Sequence, residues 1–166
     1  MKKLLLLVFV LNVVATSAMA QGQKVLTEVD LTVNGVRSGT SYARVIRALG
    51  KPLRQTDSRE LDECANGYER VLRYPGLTVT LMSDERRRNH TVIALEVTSP
   101  RWTIAPGVKI GASMKVIRSK YGRPHDDAEA TARNELWYVT KENLGGVTFT
   151  FRRGRLVRVW MGETLC

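Results

Sequence analysis

The clearest pattern in the chain is an alternation of apolar residues with threonine. Leu77-Thr78-Val79-Thr80-Leu81 repeats the rhythm of Val147-Thr148-Phe149-Thr150-Phe151. A period of two puts one set on a buried face and the threonines on an exposed one, so both segments predict half-buried strands. Flanking strands are predicted over 68–74 and 91–98 around the first, and over 135–140 and 155–161 around the second. Pro75-Gly76, Arg153-Gly154 and Gly145-Gly146 supply turn residues between them. An N-terminal strand is predicted over 25–33, ending at Asn34-Gly35.

Elsewhere the period changes to that of a helix. Tyr42, Val45, Ile46 and Leu49 share one helical face, as do Met114, Ile117 and Tyr121. Ser41 and Ser113 stand where an N-cap side chain accepts a backbone N–H bond. Gly50 and Gly122 fit the left-handed residue that ends a helix, and Pro52 and Pro124 block continuation. Asp57-x-x-Glu60 and Asp126-x-x-Glu129 have the form of capping boxes and predict two further short helices, over 58–65 and 127–133.

These elements come in two copies. Gly35-Val36-Arg37-Ser38-Gly39-Thr40-Ser41 returns as Gly107-Val108-Lys109-Ile110-Gly111-Ala112-Ser113, and the match runs without a gap to Gly50-Lys51-Pro52 and Gly122-Arg123-Pro124. An internal repeat organises the whole reading. The expected fold class is α+β: two tandem helix-helix-strand-strand-strand repeats, with antiparallel sheets and helices packed on one face. The expected layout is a leader over 1–20, a leading strand within 21–34, a first unit over 35–106 and a second over 107–166.

The repeat, with its Gly-Lys/Arg-Pro close after a short helix, resembles that of the β-lactamase-inhibitory protein family and of the small outer-membrane assembly lipoproteins of the SmpA/OmlA group. The resemblance rests on Gly39, Ser41, Gly50 and Pro52, on Gly111, Ser113, Gly122 and Pro124, and on the strand order. It implies a protein-binding module of the cell envelope or the medium, in which a sheet surface grips a partner. Two features depart from those families. Gln21 stands where the lipoproteins carry a lipid-bearing cysteine, and the inhibitors have a disulfide inside each unit.

The N-terminus changes the picture of location. Lys2-Lys3, an apolar run over 4–15 and Ala18-Met19-Ala20 have the layout of a secretory signal peptide. The run is shorter than the ~20 residues of a membrane span, so no transmembrane segment is expected after its removal. The expected location is periplasmic or secreted. There, the only two cysteines, Cys64 and Cys166, favour one disulfide; two free thiols, or an intermolecular bond through Cys166, are the alternatives. Closing so long a loop is worth about 4–5 kcal/mol in the chain-entropy account.

Charge narrows the partners. The formal net charge is +10, and the leader removes only two lysines and no acid. A basic exported chain attracts acidic proteins and anionic envelope surfaces. No nucleic-acid module is present, so nucleic acid is not an expected partner. The basic runs are Arg86-Arg87-Arg88, expected as solvated turn charge, and Arg152-Arg153-Gly154-Arg155.

Candidate chemistry is sparse. His90 and His125 lack zinc-site spacing, and the cysteines do not complete one; no metal and no cofactor is expected. No serine has the strand-turn-helix setting of a nucleophile, and Gly107-x-x-x-Gly111 lacks the Lys of a phosphate loop. What remains is a surface. Thr78, Thr80, Thr148 and Thr150 line the exposed sheet face. A two-residue turn at Arg153-Gly154 pairs Arg152 with Arg155, exposes Val157 and Val159 and turns Trp160 inward. A bulged or three-residue turn exposes Arg158 and Trp160 instead. Trp102, Trp137 and Tyr138 read as core. The leading expectation is an exported, non-enzymatic binding module that uses a basic sheet surface against an acidic protein, an inhibited enzyme being one case. The alternatives are an envelope-maintenance factor contacting outer-membrane assembly proteins or anionic lipid, and a small secreted hydrolase.

Overall fold

The computed structural model describes residues 26–27, 31–125, 134–141 and 145–163. The leader, the helix expected over 127–133 with its Asp126/Glu129 box, and Cys166 lie outside them.

Helix α1 (Tyr42–Leu49) is followed by β1 (Arg54–Asp57), β2 (Glu69–Tyr74), β3 (Leu77–Met82) and β4 (Thr91–Val97). Helix α2 (Met114–Tyr121) is followed by β5 (Glu135–Val139), β6 (Gly145–Arg152) and β7 (Arg155–Glu163). The strands form one seven-stranded antiparallel sheet in the order β1-β2-β3-β4-β7-β6-β5. This corrects the expected α+β class. Among the described residues the fold is mainly β, a single continuous sheet with two short helices, and not a pair of helix-helix-strand-strand-strand units with a sheet each. The two halves join because β4 and β7 pair through Leu95↔Met161 and Val97↔Val159, all four buried.

The second helix of the first half is absent. Residues 58–65 form bends and a turn, closed by Asp62 and Gly67 exchanging backbone bonds. Leu61, the segment's only large apolar residue, is exposed, so a helix here has no face to bury. Asp57 caps nothing: it ends β1, and its carboxylate takes Arg70. The leading segment is not a strand where described, but makes isolated bridges at Leu26 and Val33.

The helix ends hold one further difference. Gly50 and Gly122 have φ of 79° and 80° with ψ of −168° and −149°, a region only glycine enters readily, rather than the left-handed helical one. Ser113 accepts from the Val116 N–H, whereas Ser41 makes no side-chain cap bond.

The core fills the helix side of the sheet. Val45 of α1 and Ile117 and Tyr121 of α2 are buried with Leu72, Val79 and Leu95 from one half and Leu136, Phe149 and Val159 from the other. Tyr121 packs its ring 4.9 Å from Phe149 and 5.6 Å from Tyr138.

The halves repeat one another's hydrogen bonds. Gly39 N–H donates to the Val92 carbonyl at 2.8 Å, and Gly111 N–H to Leu156 at the same distance. Tyr74 OH donates to the Gly50 carbonyl (3.0 Å) and Tyr138 OH to that of Gly122 (3.1 Å). Leu53 N–H donates to Arg73 as His125 N–H does to Trp137, both at 2.8 Å. The register slips after Thr80 in one half and after Thr150 in the other, which leaves Ile93 and Val157 without a partner across those ladders. A pseudo-twofold axis therefore passes through the β4–β7 seam. Glu96 and Trp160 are equivalent to each other and stand opposite each other on it.

Candidate functional site: the open face of the sheet

The bulge after Leu156 decides what the open face displays. The turn at Arg153-Gly154 is the two-residue kind and pairs Arg152 with Arg155. The extra residue, Val157, then inverts the strand, because one inserted residue moves all later side chains to the other face. Val159 is buried and Trp160 half-buried, with Trp160 opposite Thr148 and Arg158 opposite Thr150. The tight turn and the displayed Trp160 thus occur together, through a bulge within the strand and not in the turn.

Thr78, Thr80, Thr148, Thr150, Arg158 and Trp160 share the open face by register. Arg152 is exposed at the hairpin end. Arg155 is engaged elsewhere: its guanidinium reaches the Gly111 carbonyl at 3.4 Å, in the loop before α2. Trp137 belongs to the face as well, and so do Arg54, Arg73 and Glu96, which were not singled out from the sequence. Trp137, expected in the core, is 41 % exposed; Trp102 and Tyr138 are buried. Arg73 was legible: a tight turn at Pro75-Gly76 pairs Tyr74 with Leu77, which puts Arg73 opposite Thr78. Nothing apolar in Arg54-Gln55-Thr56-Asp57 marks β1 as a strand.

One row of side chains runs across all seven strands. Read through the registers it is Arg54, Arg73, Thr78, Glu96, then Trp160, Thr148, Trp137. The scaffold is twofold but the chemistry is not. Thr78 and Thr148 are equivalent and alike, while Glu96 and Arg73 of the first half are replaced by Trp160 and Trp137 in the second. The face is charged at one end and aromatic at the other.

The tryptophans rest on a bare floor. The neighbouring row contains Ala94, Gly162 and Gly146 opposite one another. A Cβ on Gly162 would lie 2.6 Å from the Trp160 ring, and one on Gly146 would lie 3.1 Å from Trp137 Nε1. The indoles lean over glycines, which lets them lie along the sheet. A depression of about 280 Å³ extends from Arg73 past Thr78 and Glu96 to Trp160.

Charges on the face differ in how they are satisfied. Arg158 and Glu96 form an exposed pair at 3.6 Å. Arg54 and Arg73 make no side-chain hydrogen bond or ion pair among the described residues.

A second polar cluster lies on the helix side, near α1. Arg70 holds Asp57 with two bonds of 2.7 and 2.8 Å and lies 5.0 Å from the Tyr42 ring centroid, whose hydroxyl donates to Gln55 at 3.1 Å. The Arg70 bond keeps the Asp57 carboxyl below the ordinary carboxylate range. Partial burial, and then the Arg70 charge, push the His90 imidazole down. A carboxylate locked by arginine is a poor proton acceptor, so the cluster acts as a clip between β1 and β2. Arg86 and Arg88 are solvated turn charge as expected, but Arg87 lies 3.6 Å over the Tyr68 ring and donates to the Ser58 and Arg59 carbonyls. Among the described residues no group of three His, Cys, Asp or Glu is placed to hold a metal, no cysteine is free, and no helix is long and apolar enough to cross a membrane.

No protein-family model, curated protein or solved structure matches the chain.

Proposed function

We propose that the protein is an exported, non-enzymatic binding module whose open sheet face takes the acidic surface of a protein partner. The observation that carries this reading is the row across the strands, which ends in unpaired arginines on one side and displayed tryptophans on the other. Arginine and tryptophan are the residue types that dominate binding energy at protein interfaces, and threonines between them offer hydroxyls without blocking approach. The Gly-Lys/Arg-Pro repeats and the resemblance they carry point the same way. The N-terminal leader supplies export, and pairing of Cys64 with Cys166 would tie the end of the second half to the first.

The test is capture from envelope and medium extracts of a bacterium on the immobilised protein, identification of the bound protein, and affinity measurement with the purified pair. A partner whose binding is lost on both Trp160→Ala and Arg73→Glu supports the reading. A partner that binds both variants unchanged overturns it. The positive charge, +10 for the whole chain of which the leader holds only two lysines, favours one rival, an envelope factor held by anionic lipid. Salt-sensitive binding to phosphatidylglycerol vesicles that survives Trp160→Ala, with no protein captured, selects that rival.

A further inference from the structure

We infer that the partner presents an extended acidic segment that lies across the strands, with a carboxylate at Arg54 and Arg73 and an apolar side chain at the tryptophan end. This rests on the binding-module reading and specifies the chemistry of what the face accepts.

Arg54 and Arg73 stand directly opposite each other on β1 and β2. Like charges in that position destabilise a sheet. On the helix face of the same two strands the opposite pair is Asp57 and Arg70, matched and doubly bonded. Arg158, further along the open face, has Glu96. The other arginines that stand opposite each other, Arg152 and Arg155, flank a hairpin turn, and Arg155 reaches the Gly111 carbonyl there; Arg54 and Arg73 have neither an acid nor such a bond among the described residues. A charge on an edge strand discourages edge pairing, which accounts for Arg54 alone. Arg73 sits on the second strand, between β1 and β3, where that explanation does not reach. Two guanidiniums with no acid of their own, next to the Thr78 hydroxyl, match a carboxylate supplied from outside.

The rest of the row sets where the ligand's other groups go. At the centre Glu96 and Arg158 satisfy each other, which leaves the unmatched positive charge of the row at the β1–β2 end. Beyond Glu96, Trp160 and Trp137 offer apolar surface over Gly162 and Gly146. Arg73 and Trp160 are three strand spacings apart, about 14 Å, which an extended chain covers in roughly four residues. The recognised pattern is thus an acid and an apolar residue about four positions apart.

The experiment is selection of phage-displayed random dodecapeptides on the full mature protein, followed by titration of the enriched sequences as synthetic peptides. Enriched peptides are expected to carry Asp or Glu about four positions from an aromatic or large aliphatic residue. Replacing the peptide acid by its amide, or Arg54 and Arg73 together by Gln, is expected to weaken binding about tenfold. Making both changes at once is expected to add little further loss, which marks the groups as one another's partners. Circular dichroism of the variants guards against a folding defect. Enrichment of peptides without acids, or equal affinity for Arg54→Gln/Arg73→Gln and the parent, overturns the inference. If such peptides still lose binding on Trp160→Ala, the binding face stands and only the acid clamp falls. If neither the arginines nor Trp160 affects any selected peptide, both readings fall.

Discussion

Glu96 and Trp160 face each other across the central pair of strands and occupy the same place in the two halves of the fold. Under the pseudo-twofold axis Leu95↔Met161 exchanges with Val97↔Val159, so the buried side of the seam stays apolar in both directions while the open side carries an acid against an indole. A duplicated scaffold has kept its packing and changed its display.

The glycine floor beneath the tryptophans makes two substitutions diverge. In Gly146→Ala the new Cβ meets the Tyr138 carbonyl at 2.2 Å, and backbone cannot step aside. A loss of about 1–3 kcal/mol is expected in denaturant melts. In Gly162→Ala the nearest atoms are the far end of the Trp160 ring at 2.6 Å, which can swing, and the Ala94 Cβ follows at 3.0 Å. Stability should change by less than about 1 kcal/mol, with a shift in tryptophan emission and weaker partner binding.

The paired tyrosines give a matched test of the repeat. Tyr74→Phe and Tyr138→Phe each remove a hydroxyl bond to a helix-ending glycine carbonyl, at 3.0 and 3.1 Å. Each is expected to cost about 1 kcal/mol. Lying in opposite halves, the two losses should add within about 0.5 kcal/mol in the double variant.

Asp57 sets part of the acid limb of stability. Its folded value lies below the ordinary one, chiefly because Arg70 bonds the carboxylate. The folded state therefore binds fewer protons than the unfolded chain near the carboxylate range. The stabilisation is complete above about pH 4 and is lost as pH falls through the lowered folded value. The pair is partly exposed, so Asp57→Asn should cost no more than about 1 kcal/mol at neutral pH. The variant's melting temperature should also fall less steeply on acidification below that range.

His90 acts at milder pH. Burial, then the Arg70 charge, depress its folded value, so the unfolded chain takes up the proton first. Its contribution is full above the ordinary histidine value of about 6.5 and declines as pH falls from there to the lowered folded value. His90→Gln should flatten the stability profile across that interval; an unchanged slope counts against this role.

The parts of the fold with period-two alternation were legible in the sequence. The Thr-bearing strands, the Pro75-Gly76 and Arg153-Gly154 turns and the buried faces of both helices follow from patterns that one strand or helix imposes alone. Three features depend on more distant information. Whether 58–65 coils depends on an apolar face that Leu61 alone does not supply. Whether β4 finds β7 depends on two segments some sixty residues apart agreeing in register. The bulge at Val157 belongs to the pairing of two strands and to neither by itself, yet it decides whether Trp160 is core or surface. Of the site, the threonines were visible, and Arg158 and Trp160 only as one of two alternatives. Arg54 and Trp137 were hidden, the first because an edge strand exposed on both faces has no periodicity, the second because a tryptophan ordinarily reads as core.

The strand order has a kinetic consequence. Every strand pairing except β4–β7 joins neighbours along the chain, so each half is a meander whose contacts close over short loops. Among the strand pairings the seam alone demands a long closure, so its loop entropy is the largest of the six. The row that spans the sheet is continuous only after that docking step. A folding intermediate with two finished halves would hold the arginines and the tryptophans on separate bodies, and would have the parts of a binding face without the face.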